Sequence, residues 1–280
     1  RHCRLFRKGS EMTLKVIATD IDGTFLKGDR SYDKERFTKL LERLTERDIR
    51  FVVASGNQYR QLRGFFPECH QKLTFIGENG ANIIHRDIPL FEMFQSKEDL
   101  EDIIAFIEKE FPHAIISLSG QKKSYLKKNV PKDVFDALKP YLINLEQVAS
   151  FLPLPNDSFF KMTLDVPEEE TWEIMAALEK RDTGKRIVGT TSGFGCIDLI
   201  SKGIHKGWAL SKLLDEWGYT SDNLMVFGDG GNDLEMLSLG NYSYAMANAP
   251  QYVKEAARFE AKSNEEAGVL EAIEAYLDGH

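Results

Sequence analysis

The stretch KVIATDIDGTFLKG, Lys15–Gly28, decides how the rest of the chain is read. Its apolar run Val16-Ile17-Ala18 has the continuous hydrophobicity of a buried strand, and it ends on two carboxylates, Asp20 and Asp22. Gly23 and Thr24 follow at once, so the chain can turn sharply where the acids stand. Acids crowded at the end of a core strand repel one another unless a cation or a proton holds them.

Outward from this strand the pattern alternates. Phe37, Leu40, Leu41 and Leu44 recur at helical spacing, with Asp33 as the expected N-cap. Ile49–Ala54 reads as a second strand ending in Ser55-Gly56-Asn57, and Leu73–Ile76 as a third ending in Gly77-Glu78-Asn79-Gly80. The alternation resumes late in the chain. Trp208, Leu210, Leu213, Leu214 and Trp217 mark a helix closed by Gly218, and Leu224–Phe227 is a strand running into Gly228-Asp229-Gly230-Gly231-Asn232-Asp233. A short helix, a strand at Tyr242–Met246 and a helix carrying Leu270, Ile273 and Leu277 complete it. Strand–helix alternation predicts a parallel sheet, an α/β core.

The middle of the chain differs. A helix over Lys97–Glu110 precedes two short strands, Ala114–Ser119 and Ser124–Lys127, and a helix near Pro131–Leu138. Phe159–Val166 reads as a strand, Glu168–Lys180 as a helix, and Arg186–Thr191 with Cys196–Ile200 as a hairpin around Ser192-Gly193-Phe194-Gly195. Tight turns between strands predict an antiparallel sheet with helices on one face. The expected architecture is a Rossmann-like parallel core built from residues 13–85 and 201–280, with an inserted α+β domain over 86–200. Residues 1–12 are basic with no apolar segment behind them, and are read as a leader or an expression remnant.

Composition narrows the function. Among 280 residues 42% are hydrophobic and 29% charged, the balance of a soluble protein, and the net charge of −8 argues against non-specific nucleic-acid or anionic-membrane binding. No apolar run is long enough to span a membrane. Cys3, Cys69 and Cys196 form no CxxC pair, which disfavours a disulfide framework or structural zinc and suggests a reducing cytoplasm. A monomer or weak homo-oligomer is expected. So acidic a chain must hold an anionic substrate with a metal, helix N-termini or a few placed cations.

In an open parallel sheet the carboxyl ends of the strands share one edge, where ligands bind. Asp20, Asp22, Asp229 and Asp233 then meet, and a hard divalent cation such as Mg²⁺ would relieve their repulsion. The plainer alternative makes these acids helix N-caps. Ser55 and the Gly56 N–H suit phosphoryl oxygens at a helix start, and Lys206 is the candidate cation. Gly228-Asp229-Gly230-Gly231-Asn232-Asp233 lacks the G-x-G-x-x-G spacing and no GK[ST] occurs, so a nucleotide-cradling loop is disfavoured.

Taken in order, DIDGT (Asp20–Thr24), the strand ending in Ser55-Gly56, Lys206 before a helix and GDGGND (Gly228–Asp233) resemble the motifs of the haloacid dehalogenase-like phosphatases, in the Cof-type branch with a large inserted cap. The runs VVASGNQY, ENGA, TSGFG and IDLI look similar to bacterial sugar-phosphate phosphatases of that branch. The resemblance implies Asp20 as nucleophile forming a phosphoaspartyl intermediate, and Asp22 as the acid and base. It implies Mg²⁺ on Asp20, the Asp22 carbonyl and Asp229, with Thr24 and Asp233 in support. Ile21, Ser55, Gly56, Lys206 and Asn232 would hold the phosphoryl group of a small sugar phosphate, and Glu78, Asn79 and Phe194 are candidates for substrate selection. Many relatives carry Arg where this chain has Asn57, which is left out of the phosphate set, and His205 is expected to serve a local structural or substrate-edge role. A phosphomutase or phosphotransferase could use the same aspartate pair. A sugar-phosphate sensor without turnover is disfavoured because both aspartates are intact.

Overall fold

The strands that end in polar clusters lie side by side in the computed structural model, which describes residues 13–181 and 186–280. The expected leader at 1–12 lies outside the described residues. The first stretch runs β1 (Val16–Thr19), α1 (Lys34–Glu46), β2 (Arg50–Ala54), α2 (Tyr59–Gly64), β3 (Thr74–Gly77), β4 (Asn82–His85) and β5 (Ile88–Glu92). The middle runs α3 (Lys97–Glu110), β6 (Ile115–Gly120), β7 (Ser124–Lys127), α4 (Lys132–Leu138), β8 (Leu145–Val148), β9 (Phe159–Asp165), α5 (Thr171–Arg181), β10 (Ile187–Gly193) and β11 (Cys196–Ser201). The last stretch runs α6 (Lys206–Trp217), β12 (Leu224–Gly228), α7 (Leu234–Leu239), β13 (Tyr242–Met246), α8 (Gln251–Lys254), β14 (Phe259–Ala261) and α9 (Gly268–Gly279).

The core sheet has the order β14-β13-β12-β1-β2-β3-β4-β5. It is parallel from β14 to β3, and β4 and β5 then add an antiparallel edge. Both faces are covered, which is why the central strands read as unbroken apolar runs. Ile17, Phe51, Val53, Met225 and Phe227 pack under α1 and α9, while Val16, Ala18, Val52, Leu224 and Val226 pack under α6 and α7. Helix boundaries follow local chemistry as expected. Asp33 Oδ1 accepts the Arg36 N–H at 3.0 Å to start α1, and Gly218, at φ 74°, ends α6 in the left-handed region.

Several elements depart from the sequence expectation. The core sheet extends to Glu92, so the boundary at 85/86 falls inside the β4–β5 hairpin. That hairpin escaped the alternation pattern because β5 sits at an edge with Ile88, Pro89 and Leu90 exposed. Strands β8 and β14 are short and were not expected. The second sheet, β10-β11-β9-β6-β7-β8, is antiparallel except that β7 and β8 pair in parallel. The connection through α4 is long enough to return the chain in the same direction.

The second sheet is two-faced. Ile116, Leu118, Met162, Leu164, Ile197 and Leu199 bury against α3 and α5. The alternate residues Ser117, Ser119, Lys161, Thr163, Asp165, Cys196 and Asp198 line a cavity on the other face, toward the carboxyl edge of the core sheet. Ala137 and Leu138 of α4 line this cavity too, so the helices are not confined to one face.

Polar contacts join the two sheets. Glu78 and Asn79 follow β3 in consecutive left-handed conformations, φ 54° and 56°, pinned by Glu78 N to Asn57 O at 3.0 Å and Asn79 N to Ser55 O at 2.9 Å. From there Glu78 Oε1 accepts the Ser119 hydroxyl at 2.5 Å and Asn79 Nδ2 donates to Asp198 Oδ2 at 2.6 Å. Lys161 Nζ donates to the Gly56 carbonyl and pairs with Asp198 Oδ2 at 3.1 Å. Gln58 bridges Ser119, Ser124 and the Ile143 N–H. A side chain at Gly56 would put its Cβ 2.8 Å from Asp198 Oδ2, so glycine is what lets the sheets approach.

Two tests follow from this packing. Phe37 is 1% exposed and contacts the rings of Phe25, Tyr32, Phe51 and Phe66. Phe37→Ala should lower unfolding free energy by about 3–5 kcal/mol in denaturant titrations. At the junction, burial pushes the Glu78 carboxyl from 4.5 up to about 7, opposed by Lys161 and the Ser119 hydrogen bond and aided by Asp198. The native state therefore keeps a proton that the unfolded chain loses, and its stabilisation is full below 4.5 and lost as pH rises through about 7. Between about pH 5 and 8 the wild type should lose up to about 3 kcal/mol relative to Glu78→Gln in thermal unfolding. Parallel pH profiles for the two proteins would refute this account of Glu78.

Candidate active site

Adjacency of β12, β1 and β2 brings the three polar strand ends together. Asp20 continues the ladder beyond β1 by donating its N–H to Phe227 O at 3.1 Å. Its side chain meets Lys206, the first residue of α6, whose Nζ lies 2.8 Å from Asp20 Oδ1 and 2.7 Å from Asp233 Oδ1. Lys206 is fully buried, and the two carboxylates outweigh burial and hold its ammonium well above the usual lysine range. His205 caps α6, its Nδ1 accepting the Trp208 N–H at 3.0 Å, which is a local structural role.

Asp233 also fixes the β12–α7 loop. Its Oδ2 accepts the N–H groups of Asp229 at 2.9 Å and Gly230 at 3.0 Å. Asp229 is thereby turned toward β1, where Thr24 Oγ1 donates to its Oδ1 at 2.8 Å. Gly23 makes room for this contact, since a Cβ there would stand 2.3 Å from Asp229 Oδ2, and its φ of 75° favours glycine independently.

Carboxylate oxygens of Asp20, Asp229 and Asp233 lie within 4.8 Å of one another. Burial and then the charge of Asp233 push the Asp20 carboxyl well up despite Lys206, and the same two causes push Asp229 up to about 6. Such crowding suits a hard divalent cation with oxygen ligands. The oxygens of Asp233 are already engaged by Lys206 and the loop N–H groups, so Asp20 and Asp229 are the carboxylates available to a metal. The Asp22 side chain is not part of this cluster.

Asp22 points to the other side of the turn. Its Oδ2 accepts from Asn57 Nδ2 at 2.7 Å, and Arg30 Nε lies 3.8 Å from its Oδ1. The Arg30 guanidinium is itself stacked 4.4 Å over the Tyr141 ring and 5.2 Å over Phe65. Neither Asn57 nor Arg30 was assigned to Asp22 by sequence. Asn57 lies 35 residues from its partner, and no local pattern marks such a pair.

A cavity of about 480 Å³ opens over these groups. Of the expected site residues, Asp20, Asp22, Asp229, Ser55, Gly56, Asn232 and Phe194 line it. Thr24, Lys206 and Asp233 stand behind the carboxylates, and Ile21 is buried at 0% exposure. Glu78 and Asn79 do not line the cavity; they hold the sheet junction. Phe194 stands at the mouth, 84% exposed, on a tip whose three residues Gly193, Phe194 and Gly195 all have positive φ. Helix α2 begins at Tyr59, so Ser55 and Gly56 lie in the loop before it and not in its first turn.

The cavity wall opposite Asp20 comes from the second sheet: Ser117, Lys161, Thr163, Asp165, Cys196 and Asp198. Sequence reading missed these residues, although Phe160-Lys161-Met162-Thr163-Leu164-Asp165 alternates apolar and polar as a two-faced strand must. Burial, then Asp198, pushes the Cys196 thiol up, so it offers no thiolate to the site.

Comparison with known proteins agrees with this geometry. The haloacid dehalogenase-like hydrolase family matches over residues 17–273. The chain is 37% identical to the 5-amino-6-(5-phospho-D-ribitylamino)uracil phosphatase YbjI of Escherichia coli K12, over 95% of this chain and 97% of that protein. It is 23% identical to the phosphatase YitU of Bacillus subtilis 168, named for the same substrate, over 94% and 97% of the two chains. The crystal structure of SMU.1108c from Streptococcus mutans UA159 superposes with a TM-score of 0.93 at 59% identity, covering 95% of this chain and 100% of that one. In sequence and in fold, this protein belongs to the haloacid dehalogenase-like hydrolases.

Proposed function

We propose that this protein is a Mg²⁺-dependent phosphatase that hydrolyses phosphate monoesters of small sugars or sugar alcohols in the cytoplasm, through a phosphoaspartyl intermediate. The observation that carries the reading is the buried Asp20, aimed into the cavity with Lys206 on its Oδ1, while Asp22, oriented by Asn57, faces the same space. The names of the relatives support the substrate class, because the ester in their common substrate is a phosphoribityl group.

In this reading an Asp20 carboxylate oxygen attacks phosphorus in line, and the new O–P bond forms as the bond to the ester oxygen breaks. Asp22 gives its proton to the departing oxygen. It then takes a proton from the water that cleaves the phosphoaspartate, which restores Asp20 and releases inorganic phosphate. Asn57 keeps the Asp22 carboxyl turned toward the leaving group in both steps. Ser55, the Gly56 N–H and Asn232 hold phosphoryl oxygens, and Lys206 limits charge build-up around Asp20. Asp20, the Asp22 carbonyl and Asp229 would hold Mg²⁺, which when bound neutralises charge on the phosphoryl oxygens. The second sheet serves as a cap that shields the reaction from bulk water.

Phosphate release from a panel of sugar and sugar-alcohol phosphates tests this. Activity should vanish with EDTA and return with Mg²⁺. Asp20→Asn should lower kcat by at least about a thousandfold. Full activity in Asp20→Asn would overturn the nucleophile, and conversion to an isomeric phosphate without free phosphate would favour a mutase.

A further inference from the structure

Building on the phosphatase reading, we infer that Asp165 selects the leaving group, accepting hydrogen bonds from its hydroxyls and repelling esters that carry a second anion. Three observations support this. Asp165 closes β9 on the cavity-facing side of the second sheet and lines the same cavity as Asp20, yet its carboxylate has no hydrogen-bonding partner among the described residues. Lys161, the cation on this wall, is already engaged by Asp198 Oδ2 at 3.1 Å and by the Gly56 carbonyl. Asp198 is engaged in turn by Thr163 at 2.8 Å and Asn79 at 2.6 Å. The wall therefore carries an acidic excess, and Asp165 is its unengaged acceptor.

Asp198 also fixes the amide on the facing side of the cavity. Asn232 lines the cavity at 9% exposure, and its amide orientation is set by a chain of hydrogen bonds. Asp198 can only accept, so Asn79 turns Nδ2 toward it and presents Oδ1 to Asn232 Nδ2 at 3.2 Å. Asn232 Oδ1 is left without a partner. The unengaged acceptor on the second-sheet wall calls for an occupant that donates hydrogen bonds, as a polyol does. Burial and then Asp198 push the Asp165 carboxyl up to about 6, which leaves it ionised near neutral pH.

The test uses sorbitol 6-phosphate and 6-phosphogluconate, which share a six-carbon chain and the reacting ester and differ in one terminal group, hydroxymethyl against carboxylate. Wild type should favour the polyol in kcat/KM by at least about tenfold at neutral pH. Asp165→Asn should collapse that ratio to about unity, mainly through KM for the gluconate, and Asp165→Glu should retain it. A loss of folded enzyme scales both substrates alike and leaves the ratio unmoved. Turnover of p-nitrophenyl phosphate with no polyol preference in wild type, or a ratio unchanged in Asp165→Asn, would overturn this inference alone. Failure to hydrolyse any of the three esters would overturn the phosphatase reading and this inference with it.

Discussion

One buried ammonium organises the site. Lys206 is fully buried, and its ammonium donates to carboxylates from two different strand ends, Asp20 after β1 and Asp233 after β12. A buried ion pair is weak evidence for stability, because desolvation consumes most of the Coulombic gain. Its value here is positional. Removing the ammonium would leave two carboxylates facing each other in a water-poor space, so the registry of β1, β12 and α6 is tied to the charge balance of the cluster. Asp233 extends the effect by collecting the N–H groups that shape the Asp229 loop.

The same cluster explains why so much of the core was legible in sequence. A strand buried on both faces leaves a continuous apolar run, and its end shows as an abrupt change to small and charged residues. Asp20–Thr24, Ser55-Gly56 and Gly228–Asp233 are three such ends, and the parallel order of β12, β1 and β2 joins them. Thr24 on Asp229 and Lys206 on Asp20 each connect residues about two hundred positions apart; the motifs marked these residues for the site, but not these pairings.

The opposite wall was not legible for a corresponding reason. Its residues come from the polar side of an amphipathic sheet, and alternation says only that Lys161, Thr163 and Asp165 share a face, never what that face meets. The approach depends on Gly56, whose missing Cβ admits Asp198, and on left-handed backbone at Asn79, a conformation asparagine tolerates, and at Glu78, where no propensity announces it. Arg30 belongs to the same class. Its place between Asp22 and Tyr141 exists only once α4 and its following turn lie over the cavity.

Composition and site then meet in one electrostatic constraint. The chain is acidic overall, and among the described residues Lys206 faces Asp20 and Asp233, Lys161 faces Asp198, and Arg30 Nε lies 3.8 Å from Asp22. In the proposed reaction a phosphate dianion entering this space meets the carboxylates of Asp20 and Asp229, while Lys206 and Lys161 already face carboxylates of the protein. Backbone N–H groups provide partial charges, which are too small to balance two full negative charges beside two carboxylates. A divalent cation held by Asp20 and Asp229 resolves both repulsions at once, among the acids and between the acids and the substrate. In the proposed mechanism the role of such an ion thus follows from the carboxylates that already face Lys206 and Lys161.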